Sequence, residues 1–303
     1  MKASLVVMAA GLAARYGGGK QVDGVGPHNE ILMEYSICDA LQAGFDKIVL
    51  IIQPGMEPLM DRLCGDYLRK KTARSGEAVK VVYVPQDFSS IPSFYQIPEG
   101  RTKPFGTVHA LLCAEDAVRE PCCVINADDY YGPGAYRAMY EELSRLPEAG
   151  RAAMVGYLLK NTASLHGSVT RGICSMGEDG ALRSIRETRK IQLYPDGSLR
   201  DLGSGALLDP EAVVSMNFWG FMPSIFPELR RYFDRFLREE AGDDPKAECL
   251  LPIMADHLLG AGELSVSVLR SEDRWFGMTY REDREEVAGE LLRLHREGVY
   301  PES

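Results

Sequence analysis

Apolar runs and amphipathic stretches alternate through the first half of the chain. Near-continuous apolar runs over 5–9, 47–52, 79–84 and 122–126 predict buried strands. Helical patterns fall over 35–43, 57–71, 107–117 and 133–146; Gly44 closes the first, and Gln53-Pro54-Gly55 separates the second from its strand. Strands separated by helices imply βαβ units, right-handed crossovers and a mostly parallel sheet.

From residue 151 the rhythm changes. Strand patterns over 152–159, 172–176, 184–187 and 213–221 follow closely, with turn signals at Asp179-Gly180 and Asp196-Gly197. A helix over 226–240 sets Leu229, Phe233, Phe236 and Leu237 on one face, and a helix over 250–259, a strand over 264–269 and a charged helix over 284–297 complete the chain. The expected fold is α/β: a Rossmann-like, mostly parallel sheet flanked by helices, with a smaller antiparallel subregion in the second half. No linker, repeat or low-complexity tract divides the chain, so 1–303 reads as one domain with halves 1–150 and 151–303. The loop over 88–104 is long enough to act as a lid or rim.

With 303 residues, 45% of them hydrophobic, the chain can bury a sizeable core without disulfides or structural metals. A net charge of −10 argues against nucleic acid as a partner, so any phosphate site must be built locally. Seven Cys without CxxC spacing read as reduced thiols of a cytoplasmic protein, and adjacent Cys122 and Cys123 should face opposite sides of a strand. The His residues form no HExxH pattern. The apolar run after Lys2 is too short to span a membrane and leads straight into a glycine-rich loop, so it reads as a first strand and not a signal peptide. No later segment suits a bilayer, and a homo-oligomer is compatible with these features.

The loop from Ala10 to Gln21 carries Gly11, Gly17, Gly18 and Gly19 with two cations, Arg15 and Lys20. Small residues allow close backbone approach, successive N–H groups attract anions, and the cations add charge against which a triphosphate can lie. Ala13 breaks a GxGxxG fingerprint, which excludes an NAD-dependent dehydrogenase, and Ala14 and Gln21 break a Walker A loop. Asp128 and Asp129 follow the strand over 122–126, at the sheet end where open α/β folds bind ligands; such carboxylates suit Mg²⁺ shared with phosphates. Gly106 and Thr107 open a helix whose free N–H groups suit a polar ligand, while His109 on the same helix reads as packing.

An apolar strand, Ala9-Ala10-Gly11, Arg15 and then Lys20 resemble the signature of the sugar-phosphate nucleotidyltransferases, and the resemblance runs over nearly the whole chain. It departs from the usual GxGxR-then-Lys pattern at Ala13, Ala14 and Gly19. The resemblance implies a GT-A-like fold, an NTP and a phosphorylated small molecule as substrates, and Mg²⁺ as cofactor. It implies that Arg15 and Lys20 hold the triphosphate beside Ala10 and Gly11, that Gln86, Gly106 and Thr107 bind the nucleotide, and that Asp128 holds the metal. A second metal Asp is usual late in the chain, where Gly277 stands here; Asp283 or Asp273 could replace it. Gly172, Glu187, Asn217 and Glu248 fall near acceptor-contacting segments, with Arg189 or Lys190 facing the acceptor phosphate.

The reaction so implied is in-line attack of an already ionised phosphate oxygen on the α-phosphorus of the NTP. It needs positioning and charge neutralisation more than a strong base. Two rivals remain. One is a phosphocholine-type cytidylyltransferase, with Trp219 and tyrosines caging a quaternary ammonium. The other is a non-catalytic nucleotide-sugar-binding regulator, favoured by Ala13, Ala14 and Gly277 and opposed by Arg15, Lys20 and Asp128.

Overall fold

A computed structural model of the chain describes residues 1–11, 24–74, 76–164, 166–271, 273–277 and 283–300. Strands β1 (Ser4–Met8), β2 (Lys47–Ile52), β3 (Lys80–Pro85) and β4 (Cys122–Asn126) lie parallel in the order β3-β2-β1-β4. Helix α1 (Leu32–Ala43), helix α2 (57–70, with one wide turn over Asp61–Gly65) and helix α3 (Gly106–Cys113) connect them. β1 and β2 are apolar on both faces, as strands covered on both sides must be.

Beyond β4 the chain adds a two-residue strand β5 (Asp129–Tyr130), helix α4 (Pro133–Leu143) and an antiparallel wing. The wing comprises β6 (Arg151–Leu158), β7 (Val169–Met176), β8 (Leu182–Leu193), β9 (Leu199–Asp201), β10 (Leu207–Leu208) and β11 (Val213–Phe221). Helices α5 (Ile225–Glu239) and α6 (Leu251–Gly260), strands β12 (Ser265–Arg270) and β13 (Phe276–Gly277), and helix α7 (Asp283–Arg296) follow. β11 bridges the two halves: antiparallel β6 runs along one of its edges, while β7 and β4 pair antiparallel with successive parts of the other, so one 11-stranded sheet crosses the molecule. Both halves therefore share one backbone scaffold.

Side chains alternate across this sheet. Leu5, Val7, Ile48, Leu50 and Cys123 pack under α1, α2 and α4, while Val6, Val49, Ile51 and Cys122 pack against α3, α5 and α6. Cys122 and Cys123 thus enter opposite cores, as strand geometry demands. Desolvation pushes the Cys122 thiol up to about 12, so it behaves as a small apolar group. In α5 the stripe Leu229, Phe233, Phe236 and Leu237 is buried, as its spacing predicts.

A third, smaller core joins distant segments: Val25, Leu32 and Tyr35 meet Tyr130, Phe276, Leu291 and Tyr300. The Tyr300 hydroxyl donates to the buried Asp39 Oδ2 (2.9 Å) and lies 2.8 Å from the Tyr130 hydroxyl. Arg284 Nη2 donates to Gly24 O at 2.9 Å. The C-terminal helix therefore rests on both the segment leaving the glycine-rich loop and the strand that follows Asp128. No helix among the described residues is long and apolar enough to cross a membrane.

Candidate functional site

In the parallel half, neighbouring β1 and β4 end side by side, where connections leave the sheet in different directions. Open α/β sheets form their ligand crevice at such a point. A cleft of about 460 Å³ opens there, lined by Ala10 and Gly11 after β1, Gln86 after β3, Gly106 and Thr107 at the start of α3, and Asp128 after β4. All five residues expected from the sequence to bind the nucleotide thus face one cavity with Asp128. Arg15 and Lys20 lie outside the described residues.

The walls of this cleft are fastened by specific bonds. Gln53 Nε2 donates to Ala10 O (2.7 Å), and Gln86 Nε2 donates to Gly106 O (3.2 Å), which orients the buried Gln86 amide. Gly106 has φ +85°, and a Cβ there would meet Cys249 O at 2.7 Å. Only glycine lets the two segments come that close. They are knitted by Cys249 N to Phe105 O (2.8 Å), Val108 N to Cys249 O (3.1 Å) and Leu251 N to Thr107 Oγ1 (2.8 Å).

The 88–104 loop is held as a rim of this cleft. Buried Arg101 donates to the carbonyls of Lys103 (2.8 Å), Pro104 (3.0 Å), Asp244 (3.2 Å) and Ala247 (2.6 Å), and its guanidinium lies 3.4 Å from the Phe105 ring centroid. This staple sets Lys103 on the cleft wall, in company with Glu248. Glu248, expected near the acceptor, lines this first cleft, while its neighbours Leu250 and Pro252 line a second cavity.

His109 is buried and supports the same rim. Phe105 N donates to its Nδ1 (3.2 Å), so the proton sits on Nε2, which faces Ser90 Oγ at 2.9 Å. Its ring stacks on Phe233. Burial first, and the nearby Arg101 cation second, bring its pKa down to about 4. It is a neutral packing residue.

The second cavity, of about 430 Å³, lies on the antiparallel wing and is lined by Arg171, Gly172, Glu187, Asn217 and Trp275, together with both Asp128 and Asp129. The expected acceptor residues Gly172, Glu187 and Asn217 are therefore together. Burial raises the Glu187 carboxyl, against the pull of Arg189 and Arg171. Lys190 lines neither cavity: it is exposed, with φ +57°, on the outer run of β8. The cation on this wall is Arg171, whose side chain donates to the carbonyls of Thr162 and Thr170 and lies 5.0 Å from the Trp275 ring. Asp283 also lies in neither cavity. It accepts from Ser164 Oγ (3.0 Å) and lines a small hollow behind Trp275, so the structure does not bring it to Asp128. Asp273 is spent at the start of α4, where its Oδ2 accepts from Ala135 N (3.1 Å) and Ser271 Oγ (2.9 Å).

Gly277 pairs with Asp129 in the β5–β13 ladder, and a Cβ at 277 would lie 2.5 Å from Asp129 Oδ1. The buried Asp129 carboxylate thus takes the room that a side chain at 277 would need. Among the described residues no group of three or more His, Cys, Asp and Glu could hold a metal ion. Asp128 and Asp129 lining one cavity supply hard oxygen donors of the kind Mg²⁺ shares with phosphates.

Thr107, Asn126 and Asp128 line both cavities. Asn126 was not singled out from the sequence, since an Asn ending an apolar strand has no pattern of its own. Arg171 and Lys103 were also missed, being ordinary surface cations until a strand inside the wing and a stapled loop place them on the cavity walls.

The fold and site together define an α/β protein with a β3-β2-β1-β4 parallel half, an antiparallel wing and a bipartite cleft across the junction. Solved structures that share this fold include one described as a glucose-1-phosphate thymidylyltransferase from Bacillus anthracis, with bound sucrose. It is 13% identical, matches 96% of this chain and 95% of its own, and has a TM-score of 0.62. A UDP-glucose pyrophosphorylase complexed with UDP-glucose matches 97% and 99% of the two chains at 16% identity and TM-score 0.62. The inositol-1-phosphate CTP transferase of T. maritima matches 99% and 98% at 14% identity and TM-score 0.58. At these identities the likeness is one of fold. No protein-family model matches the chain, and no curated protein matches it in sequence.

Proposed function

We propose that this chain transfers a nucleotidyl group from an NTP to a phosphorylated small molecule, of the sugar 1-phosphate class, with release of pyrophosphate. The observation that carries the reading is the meeting of two cavities of similar size at Thr107, Asn126 and Asp128. A two-substrate transfer needs such a junction, because the attacking oxygen and the phosphorus under attack must be held within contact distance. The three fold neighbours are described as a thymidylyltransferase, a pyrophosphorylase and a CTP transferase, which fits this chemistry.

In this reading the NTP lies along Ala10, Gly11, Gln86 and Gly106, with Arg15 and Lys20 against its triphosphate, and the acceptor lies along Gly172, Glu187 and Asn217. Asp128, with Asp129 beside it, holds Mg²⁺, which would neutralise phosphate charge as the new bond forms. Arg171 is the cation of the acceptor wall, in the part first given to Lys190. The phosphocholine reading needs Trp219 open to a ligand. Trp219 is fully buried and its indole N–H is given to Asn217, so it cannot form that cage.

The test is pyrophosphate release with Mg²⁺, crossing each common NTP with hexose 1-phosphates, inositol 1-phosphate and phosphocholine. Release that requires one NTP and one sugar or cyclitol phosphate is expected. Tight NTP binding with no release from any pair would replace this reading with a regulatory one.

A further inference from the structure

The side chain of Asn126 is oriented by a chain of hydrogen bonds that begins at a group able only to donate. Trp219 Nε1 donates to Asn217 Oδ1 (3.1 Å). The Asn217 amide nitrogen must then face the other way, and it donates to Asn126 Oδ1 (2.9 Å). The Asn126 nitrogen in turn donates to Asp129 Oδ2 (2.8 Å), an acceptor-only carboxylate oxygen. An indole at one end and a carboxylate at the other leave a single consistent assignment for both amides.

This arrangement uses one hydrogen of Asn126 Nδ2 and leaves the second. Asn126 is half-buried and lines both cavities, so the remaining N–H belongs to the place where the substrates meet. Resting on the nucleotidyl-transfer reading above, we propose that Asn126 is a further catalytic residue, whose amide N–H donates to a non-bridging oxygen of the transferring α-phosphoryl group. A donor fixed in advance costs no reorganisation when charge builds on that oxygen, and it acts in a partly water-excluded cleft. No proton leaves Asn126. The acceptor oxygen bonds to the α-phosphorus as the bond to the β-phosphate oxygen breaks, and the electron pair departs with pyrophosphate.

The experiment compares wild type, Asn126→Ala and Asn126→Asp in steady-state assays with the active substrate pair, using the ordinary NTP and the two diastereomers of its α-thio analogue. Asn126→Asp keeps the shape and the bond from Asn217 but replaces the donor by a carboxylate oxygen that must share a proton with Asp129, so where truncation unfolds the chain its readout is the diastereomer preference, which added charge alone does not erase. Melting curves and NTP titration establish folding and binding. The expected result is a fall in kcat of about 10²–10³-fold, the usual cost of one such donor, with KM for either substrate within about threefold. The wild type should also penalise the diastereomer whose sulfur replaces the contacted oxygen, and this preference should shrink in both variants. A merely structural role would not erase it. Retention of kcat within about threefold, or a loss confined to KM, overturns the assignment of Asn126 while leaving the transfer reading intact. A folded wild type that releases no pyrophosphate overturns both.

Discussion

The indole Nε1 of Trp219 donates to Asn217 Oδ1 at 3.1 Å, and this bond sets the polarity of the site on the neighbouring strand. Asn217 has φ +63° within a bulge of β11 between Ser215 and Trp219. A bulge re-aims side chains, and Asn tolerates the left-handed region better than most residues. The bulge turns Asn217 toward Asn126 at the end of β4, so the wall carrying Gly172 and Glu187 and the Asp128–Asp129 turn are held in one register.

Asp128 stands in a turn at the edge of both cavities and is half-buried. Asp128→Ala should reduce pyrophosphate release by at least about 10²-fold, because the charge that opposes phosphate repulsion loses its anchor. The melting temperature should stay close to wild type. Turnover at wild-type levels would remove Asp128 from the metal site.

Gly277→Ala should be destabilising, by about 1–3 kcal/mol, as expected for a side chain forced into filled space. Its Cβ would meet Asp129 Oδ1 at 2.5 Å and the Trp275 ring at 2.9 Å. Urea denaturation reads the loss. Turnover should fall as well, since Asp129 shares its other oxygen with Asn126. A variant as stable and active as wild type would show that Asp129 has room to move.

Arg101→Met should leave four backbone carbonyls without their donor and cost about 2–4 kcal/mol in urea denaturation. The rim carrying Lys103 and Pro104 would loosen. KM for the NTP should rise about tenfold while KM for the acceptor stays unchanged, a loss of nucleotide positioning alone. Equal changes in both constants would argue against a rim that serves only the nucleotide.

His109 makes stability sensitive to acid. Its pKa is brought from 6.5 down to about 4 in the fold, so the folded chain binds fewer protons than the unfolded one across that window. The stability it contributes is complete above pH 6.5 and is lost as pH falls toward 4, by roughly 3 kcal/mol at most. The difference in unfolding free energy between wild type and His109→Phe, which keeps the stack on Phe233, should show this slope from pH 7 to pH 4, because Glu34, whose carboxyl burial raises to about 7, contributes a slope of opposite sign to both. An unchanged slope in the variant would place the acid sensitivity elsewhere.

Legibility of the fold varied with the local pattern. β2, β4 and β11 were readable residue for residue because each is a strong apolar run bounded by turn formers. β8 was visible only over 184–187, although it spans Leu182–Leu193. Its buried positions are Leu182, Ile185, Thr188 and Ile191, a spacing of three that matches no strand template. Register shifts against β7 fall between Leu182 and Ser184 and between Thr188 and Ile191, while the regular stretch between them puts Ile185 and Thr188 on opposite faces, so Leu182 and Ile185 enter one core and Ile191 the other. The two-residue ladder of β5 and β13 has no sequence signature, so the opposition of Gly277 and Asp129 was invisible.

The order of strands and helices and the carboxylates after β4 follow from the chain itself, because apolar period and charge are local properties. What the sequence alone determined was therefore an α/β sheet with a phosphate-friendly end. Which side chains share a cavity was decided by tertiary structure. Lys190 and Arg171 are both cations near the same strand pair, and Glu248 and Leu250 are near neighbours in one segment. Only sheet register and the close pairing of 105–108 with 249–251 select which member of each pair lines which cavity, and Lys190 lines neither. The physical reason is that a side chain's direction depends on residues distant in sequence, and one step of register exchanges the two faces of a strand.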